Sequence, residues 1–148
     1  TTSVEKTILV TGGAGFIGSH IVDLLLRRGF RVVVLDNFST GKREHIPSNA
    51  ILISGDVRRK DDIAGAFAHG IDAVIHIAGQ ASIKLSYNDP MHDLNVNTVG
   101  TLNILEACLQ HQVGRLLFAS SMTIYGNPTV CPTPTRCAAP TLTEERWL

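Results

Sequence analysis

The sequence predicts an α/β chain, a doubly wound parallel sheet of about five strands, and three observations carry that reading. Apolar runs of strand length alternate with stretches of helical periodicity, the rhythm of parallel strands joined by crossover helices. The first apolar run ends in a glycine-rich turn, Thr11 to Gly18, which opens directly into a helical pattern. The second run ends in an acidic residue, Asp36, 18 residues after Gly18.

The elements follow in order. Thr7 to Val10 reads as the first strand. The helix after the glycine turn runs from about Phe16 to Arg28, with Ile17, Ile21, Leu24 and Leu25 on one stripe and Gly29 as its stop. Arg31 to Leu35 is the second strand, and Ala50 to Ile53 the third, followed by Gly55-Asp56. A short helix covers Asp61 to Ala68, with its acidic pair at the positive end of the dipole and Gly70 beyond its close. Ala73 to Ile77 is the fourth strand. A long helix runs from roughly Pro90 to Gln110, where Leu94, Thr98, Thr101, Leu105 and Cys108 fit one buried face. Arg115 to Ala119 is the fifth strand. After Tyr125-Gly126 the pattern dissolves into a proline-rich segment, so 1–126 is expected to form the folded domain and 127–148 a divergent tail. Short linkers suit right-handed crossovers, but nothing in the sequence sets the strand order.

The bulk composition narrows the function classes. A length of 148 residues, 44% hydrophobic and 18% charged, supports one domain with a real core. Thirteen basic residues balance 13 acidic ones, leaving no basic surface for nucleic acid or for a membrane. The longest apolar runs, such as Val32 to Leu35, are too short to span a bilayer, and residues 1–10 carry no secretory pattern. Three cysteines, an odd count with two in the proline-rich segment, point to a reduced, cytoplasmic protein with no metal site.

The chemistry concentrates at the ends of the strands. Gly12, Gly15 and Gly18 each answer a mechanical need: a tight turn, close approach of backbone to a pyrophosphate, and close packing of helix on strand. Gly12 and Gly15 stand three positions apart, where the commoner fingerprint has two. The helix N-terminus then offers oriented N–H groups to phosphate. A carboxylate at Asp36 accepts from both ribose hydroxyls and repels a 2′-phosphate, which favours NAD over NADP; the plainer reading is a strand-end turn residue. His76 could act as a base near neutrality, or be a buried structural hydrogen-bonder, and His20 reads as packing. Ser120 and Ser121 lack a nucleophile elbow around them.

With these residues in place, the chain resembles the extended short-chain dehydrogenase/reductases of the NAD-dependent epimerase/dehydratase family. It looks most like the nucleotide-sugar (UDP-glucose/galactose) 4-epimerases. The segments that carry the resemblance are Thr11 to His20, Asp36 to Gly41, Gly55 to Val57, His76 to Ser82, Asn97 to Thr101, and Phe118 to Gly126. The resemblance implies a Rossmann-type domain in which Gly12, Gly15, Phe16, Ile17 and Gly18 cradle pyrophosphate. It implies that Asp36, Asn37, Ser39 and Thr40 hold the adenosine ribose and that Asp56 and Val57 meet adenine. Ala78, Gly79 and Gln80 would line the nicotinamide half, Asn97 would reach toward it from the long helix, and Ser121 would be the catalytic serine.

In that family a Tyr-x-x-x-Lys motif on the next helix supplies the base, and the lysine lowers the tyrosine pKa. Here the only tyrosines are Tyr87 and Tyr125 and the only lysines are 6, 42, 60 and 84, so no such pair exists in these residues. The expectation is an N-terminal Rossmann part without the C-terminal substrate domain, holding NAD but impaired in redox epimerisation. Two alternatives stand beside it. One is a sugar-active enzyme of different mechanism, such as glycoside hydrolysis by carboxylates drawn from Asp89, Asp93, Glu144 and Glu145. The other is a non-catalytic interaction protein that associates through Leu94, Leu105 and Leu109 of the long helix. A small-molecule nucleotide or sugar-nucleotide is the expected ligand, and a homo-oligomer the expected assembly.

Overall fold

The computed structural model describes residues 5–125. The chain divides into a first unit that runs to Phe118 and a second that begins at Ala119. The domain boundary expected at 126 and the segment 127–148 lie outside the described residues.

The first unit is built from β1 (Thr7–Thr11), α1 (Phe16–Arg27), β2 (Arg31–Asp36), β3 (Ile51–Ser54), α2 (Lys60–Phe67), β4 (Ala73–His76), α3 (Ile83–Asn88), α4 (Pro90–Leu94), α5 (Gly100–Gln110) and β5 (Leu116–Phe118). All five strands are parallel, in the order β3-β2-β1-β4-β5. β1 is therefore central, and the direction of winding reverses between β1 and β4. The register aligns the carboxyl ends: Thr11 pairs with Leu35 and with His76, and Asp36 pairs with Ser54.

Alternation along the strands splits the core into two layers. Leu9, Val33, Leu35 and Val74 pack with Ile63 and Phe67 of α2 and with Ile104, Ala107 and Cys108 of α5. Ile8, Val10, Val32 and Val34 pack on the other face against Val22 of α1. Both faces are covered, which is why β1 and β2 read as unbroken apolar runs.

Three local expectations are corrected. On α1 the buried residues are Gly18 and Val22; of the expected stripe, Ile21 and Leu25 pack partly buried against that core, while Ile17 and Leu24 are exposed. A Cβ on Gly18 would collide with the Gly12 carbonyl oxygen, so the helix seats its glycine against the turn and rotates Ile17 outward. The region after β4 holds a further short helix, α3, capped by the Ser82 hydroxyl, which accepts from Leu85 N at 3.3 Å. Its apolar residues, Ile83, Leu85 and Tyr87, are spaced by two and exposed, so no helical stripe marks it.

The long helix is one rod from Pro90 to Gln110, with right-handed helical backbone at the joints Leu94, Asn95, Val99 and Gly100. Asn95–Val99 forms a π turn, which adds a residue and shifts the face presented to the sheet. Leu94, Thr98 and Leu105 are exposed, and α5 buries Gly100, Asn103, Ile104, Ala107 and Cys108. The cause is Val57. A Cβ on Gly100 would lie 2.6 Å from Val57 Cγ2, and Asn103 Nδ2 donates to the Val57 carbonyl at 3.0 Å. A glycine and an asparagine therefore face inward where leucines were expected.

Candidate nucleotide site

The glycine turn sits at the point where the strand order reverses. Gly12 adopts φ +70°, and a Cβ there would meet Ala78 N at 2.7 Å, so the turns after β1 and β4 touch backbone to backbone. Gly12 N donates to Leu35 O at 2.8 Å, which ties the same turn to β2. Gly15 precedes α1 in extended conformation with no side chain capping the helix, and its first turn carries no acidic residue. The N–H groups and partial positive charge of this helix end are left for an anion. Phe16 and Ile17 expose their side chains there, and their backbone carries the helix start.

Asp36 is buried, and its carboxylate braces the turn. Oδ2 accepts from Ala14 N at 2.9 Å and Oδ1 from Phe38 N at 2.8 Å. The Ala14 carbonyl is held in turn by Lys42 N at 3.1 Å and by His45 Nδ1 at 3.1 Å, which must carry the proton. The Ala14 peptide is thus fixed on both sides, and each Asp36 oxygen keeps acceptor capacity beyond its one internal bond. Phe38 takes a left-handed φ of 57°, and the Asn37 carbonyl oxygen of the side chain receives Ser39 N at 3.0 Å. Ser39 and Thr40 are exposed in the same loop.

Asp56 lies beyond β3, next to Asn37. Its carboxylate takes Arg58 Nε at 2.9 Å and Nη2 at 2.7 Å, Arg58 N at 2.9 Å, and Asn37 Nδ2 at 2.9 Å. The Arg58 hydrogen bonds hold its carboxyl well below the usual carboxylate range. Four bonds fill its acceptor positions. The Val57 side chain belongs to the core, so only backbone of Val57 is offered at this edge.

His76 closes β4 and is 1% exposed. Burial pushes its pKa from 6.5 down to about 4, so the ring is neutral at pH 7 and is a structural hydrogen-bonder. Its Nδ1 lies 2.6 Å from Thr11 Oγ1 and its Nε2 3.0 Å from Thr101 Oγ1. Beyond it, Asn97 grips the Gln80 backbone: Oδ1 accepts from Gln80 N at 2.7 Å and Nδ2 donates to Gln80 O at 2.9 Å. The Gln80 side chain turns into a network with Ser82, Ser86 and Asp93, so what this strip presents is the backbone of Ala78, Gly79 and Gln80.

The remaining sequence candidates divide cleanly. Asp93 accepts from Gln80, Ser86 and Asn97, and Asp89 caps α4 by accepting from His92 N at 2.9 Å. Both are structural. His20 Nδ1 bonds the Phe16 carbonyl at 2.8 Å, and its ring packs on Phe16. Ser121 lies in the second unit, where its carbonyl accepts from Ile124 N at 3.2 Å; Ser120 also lies in that unit. Glu144 and Glu145 fall outside the described residues. Sequence reasoning missed Thr11, His45 and Thr101; the only signal for Thr11 was its place between strand and glycine. A cavity of about 560 Å³ opens at the opposite, amino end of the strands, lined by Ile8, Leu25, Phe30 and Leu117 with Lys6 and Arg115. Its lining includes none of Gly12, Asp36, Asp56 or Asn97, and ligands of open α/β sheets bind at the carboxyl end.

Fold and turn together define a Rossmann-type domain with an open helix N-terminus at its switch point. The chain belongs to the NAD dependent epimerase/dehydratase family, whose pattern it matches over residues 8–145. It is 39% identical over 140 residues to a UDP-glucose 4-epimerase of Pisum sativum, covering 86% of this chain and 40% of that protein. The crystal structure of the Thermus thermophilus UDP-glucose 4-epimerase with NAD shares 51% identity at a TM-score of 0.79, over 82% of this chain and 40% of that one. The Thermotoga maritima UDP-glucose 4-epimerase with UDP-glucose shares 40% at 0.80, over 86% and 42%. The chain spans about 40% of the length of the curated relatives it matches.

Proposed function

We propose that these residues bind NAD across the β1–β4 switch point as the cofactor half of a nucleotide-sugar 4-epimerase. The observation that carries the reading is the uncapped start of α1, with the glycine turn before it locked by Asp36 and by the Ala78 backbone. Pyrophosphate lies on Gly12, Gly15, Phe16, Ile17 and Gly18. The adenosine ribose meets Asp36, Asn37, Ser39 and Thr40, and adenine lies beside Asp56 and Val57. The nicotinamide half runs along Ala78, Gly79 and Gln80 near Asn97. NAD, when bound, supplies a hydride acceptor. The carboxylate at Asp36 disfavours the extra phosphate of NADP by charge.

In this reading Ser121 hydrogen-bonds the sugar oxygen that is oxidised. A UDP-sugar is the substrate class, in keeping with the relatives, and a cytoplasmic setting suits the free buried thiol of Cys108. These 148 residues contain no Tyr-x-x-x-Lys pair, so no group present removes the hydroxyl proton with a lysine beside it, and epimerisation by them alone is impaired. Calorimetric titration with NAD and NADP, each with and without UDP-glucose, tests the reading. Tighter binding of NAD is expected, with no interconversion of UDP-glucose and UDP-galactose. Binding of neither cofactor, or tighter binding of NADP, refutes the site; turnover refutes the impairment.

Self-association has its own observation. Leu94, Leu102, Leu105 and Leu109 are 45%, 53%, 42% and 81% exposed along one rod, an apolar face suited to pairing with a second copy. Sedimentation equilibrium is expected to show a concentration-dependent homo-oligomer. A monomer at all concentrations removes this reading. Among the described residues no helix is long and apolar enough to cross a membrane.

A further inference from the structure

We propose that Thr11, His76 and Thr101 form a positioning relay that ties the glycine turn to the Asn97 clamp and so sets the Ala78–Gln80 strip against the nicotinamide half of the dinucleotide. The inference rests on the NAD reading above and assigns these three residues no part in the chemistry.

One placement of protons satisfies the whole chain of bonds. Thr101 Oγ1 donates its single proton to the Asn97 carbonyl at 2.6 Å, so toward His76 Nε2 it can only accept. Nε2 therefore carries the ring proton and Nδ1 is bare. Thr11 Oγ1 donates to Nδ1, which leaves its lone pairs to accept Ile77 N and Ala78 N, each at 3.2 Å. Thr11 precedes Gly12, and Ala78 opens the strip. Asn97 closes the other end, because only one orientation of its amide both accepts from Gln80 N and donates to Gln80 O.

Thr11 and His76 are buried, and Thr101 is half-buried. Thr11 is 0% exposed, and the imidazole stacks on Phe118 at 5.9 Å between ring centroids. Asn97 stands in the π turn, where its carbonyl receives a side-chain hydroxyl from the first turn of α5. Removing that hydroxyl leaves His76 Nε2–H without its acceptor and frees the backbone that carries the Asn97 amide. The glycine turn and Asp36 are untouched, so the adenosine half of the site is unaffected. The expected signature is selective loss of the nicotinamide half.

Thr101→Val removes the hydroxyl at nearly constant shape, and Thr101→Ser returns it. Dissociation constants for NAD and for ADP, which reports the adenosine and pyrophosphate half alone, are measured on the full chain. Val is expected to weaken NAD by about tenfold, the scale of one lost hydrogen bond, and ADP by less than about twofold, with Ser restoring NAD. Parallel weakening of both ligands, or no weakening of either, overturns the relay. Wild-type protein that binds ADP but not NAD, or neither, removes the NAD reading and the relay with it. Should the Val variant fail to fold, the ¹⁵N spectrum of wild-type His76 decides: a neutral Nε2–H tautomer is expected, and an Nδ1–H tautomer refutes it.

Discussion

Replacing Asp36 by Asn keeps the shape of the side chain and changes one acceptor into a donor. In the native domain both carboxylate oxygens receive backbone N–H groups, Ala14 N at 2.9 Å and Phe38 N at 2.8 Å. An amide can accept only one of them, and its NH₂ then faces the other donor. The residue is 8% exposed, so little water reaches the orphaned N–H. Loss of a hydrogen bond to a charged acceptor, with one donor stranded, is worth about 2 kcal/mol. With a urea dependence of about 2 kcal/mol per molar, the unfolding midpoint should fall by about 1 M. The same change loosens the Ala14 peptide and, on the proposed NAD reading, halves the acceptors available to ribose, so NAD affinity should fall by more than about tenfold. Urea titration followed by circular dichroism, with calorimetry on the same preparation, reads both. An Asp36→Asn protein with wild-type midpoint and wild-type affinity would refute the argument that this carboxylate braces the turn and holds the ribose.

Other perturbations separate strained positions from permissive ones. Gly18→Ala drives a Cβ into the Gly12 carbonyl and should cost about 2–3 kcal/mol or more. Gly65→Ala, inside α2 with nothing within 4 Å of the added methyl, should stabilise by about 0.5–1 kcal/mol; urea midpoints compare the two. Acid should destabilise the domain through His76. Its folded pKa of about 4 lies below the ordinary 6.5, so the unfolded chain takes up the proton first and stability falls as pH drops below 6.5. The loss is about 2 kcal/mol by pH 5, from a stability difference of 1.36 kcal/mol per unit. His76→Asn should flatten the slope between pH 7 and 5 by that amount, and an unchanged slope would refute the assignment. Asp56 acts in a lower window: its lowered pKa contributes stability above the ordinary 3.8 that is lost only on further acidification.

Much of this fold was legible because its signals are local. The runs at β1 and β2 are covered on both faces, so they read as strands without any partner being known. The turn Thr11–Gly18 announces itself because a left-handed φ at Gly12 and the contact at Gly18 exclude other side chains. Asp36 was visible by its distance from that turn. Periodicity failed where the helix face was chosen by something far away in sequence. Gly100 and Asn103 turn inward on α5 because Val57, more than 40 positions earlier, leaves room for a glycine and presents a carbonyl to an amide. α3 gave no stripe because its apolar residues stay exposed.

The sequence by itself therefore determined which segments are strands, where the glycine turn falls, and which carboxylate stands beside it, since these depend on neighbours along the chain. Tertiary structure alone decided the strand order that brings Gly12 against Ala78. It decided the burial that keeps His76 neutral and the joining of Thr11 to Thr101 through that ring. Those features depend on residues 65 and 25 positions apart meeting at hydrogen-bond distance, and the separations of 65 and 25 leave no trace in local pattern. Only packing of the whole sheet and its helices brings such pairs together.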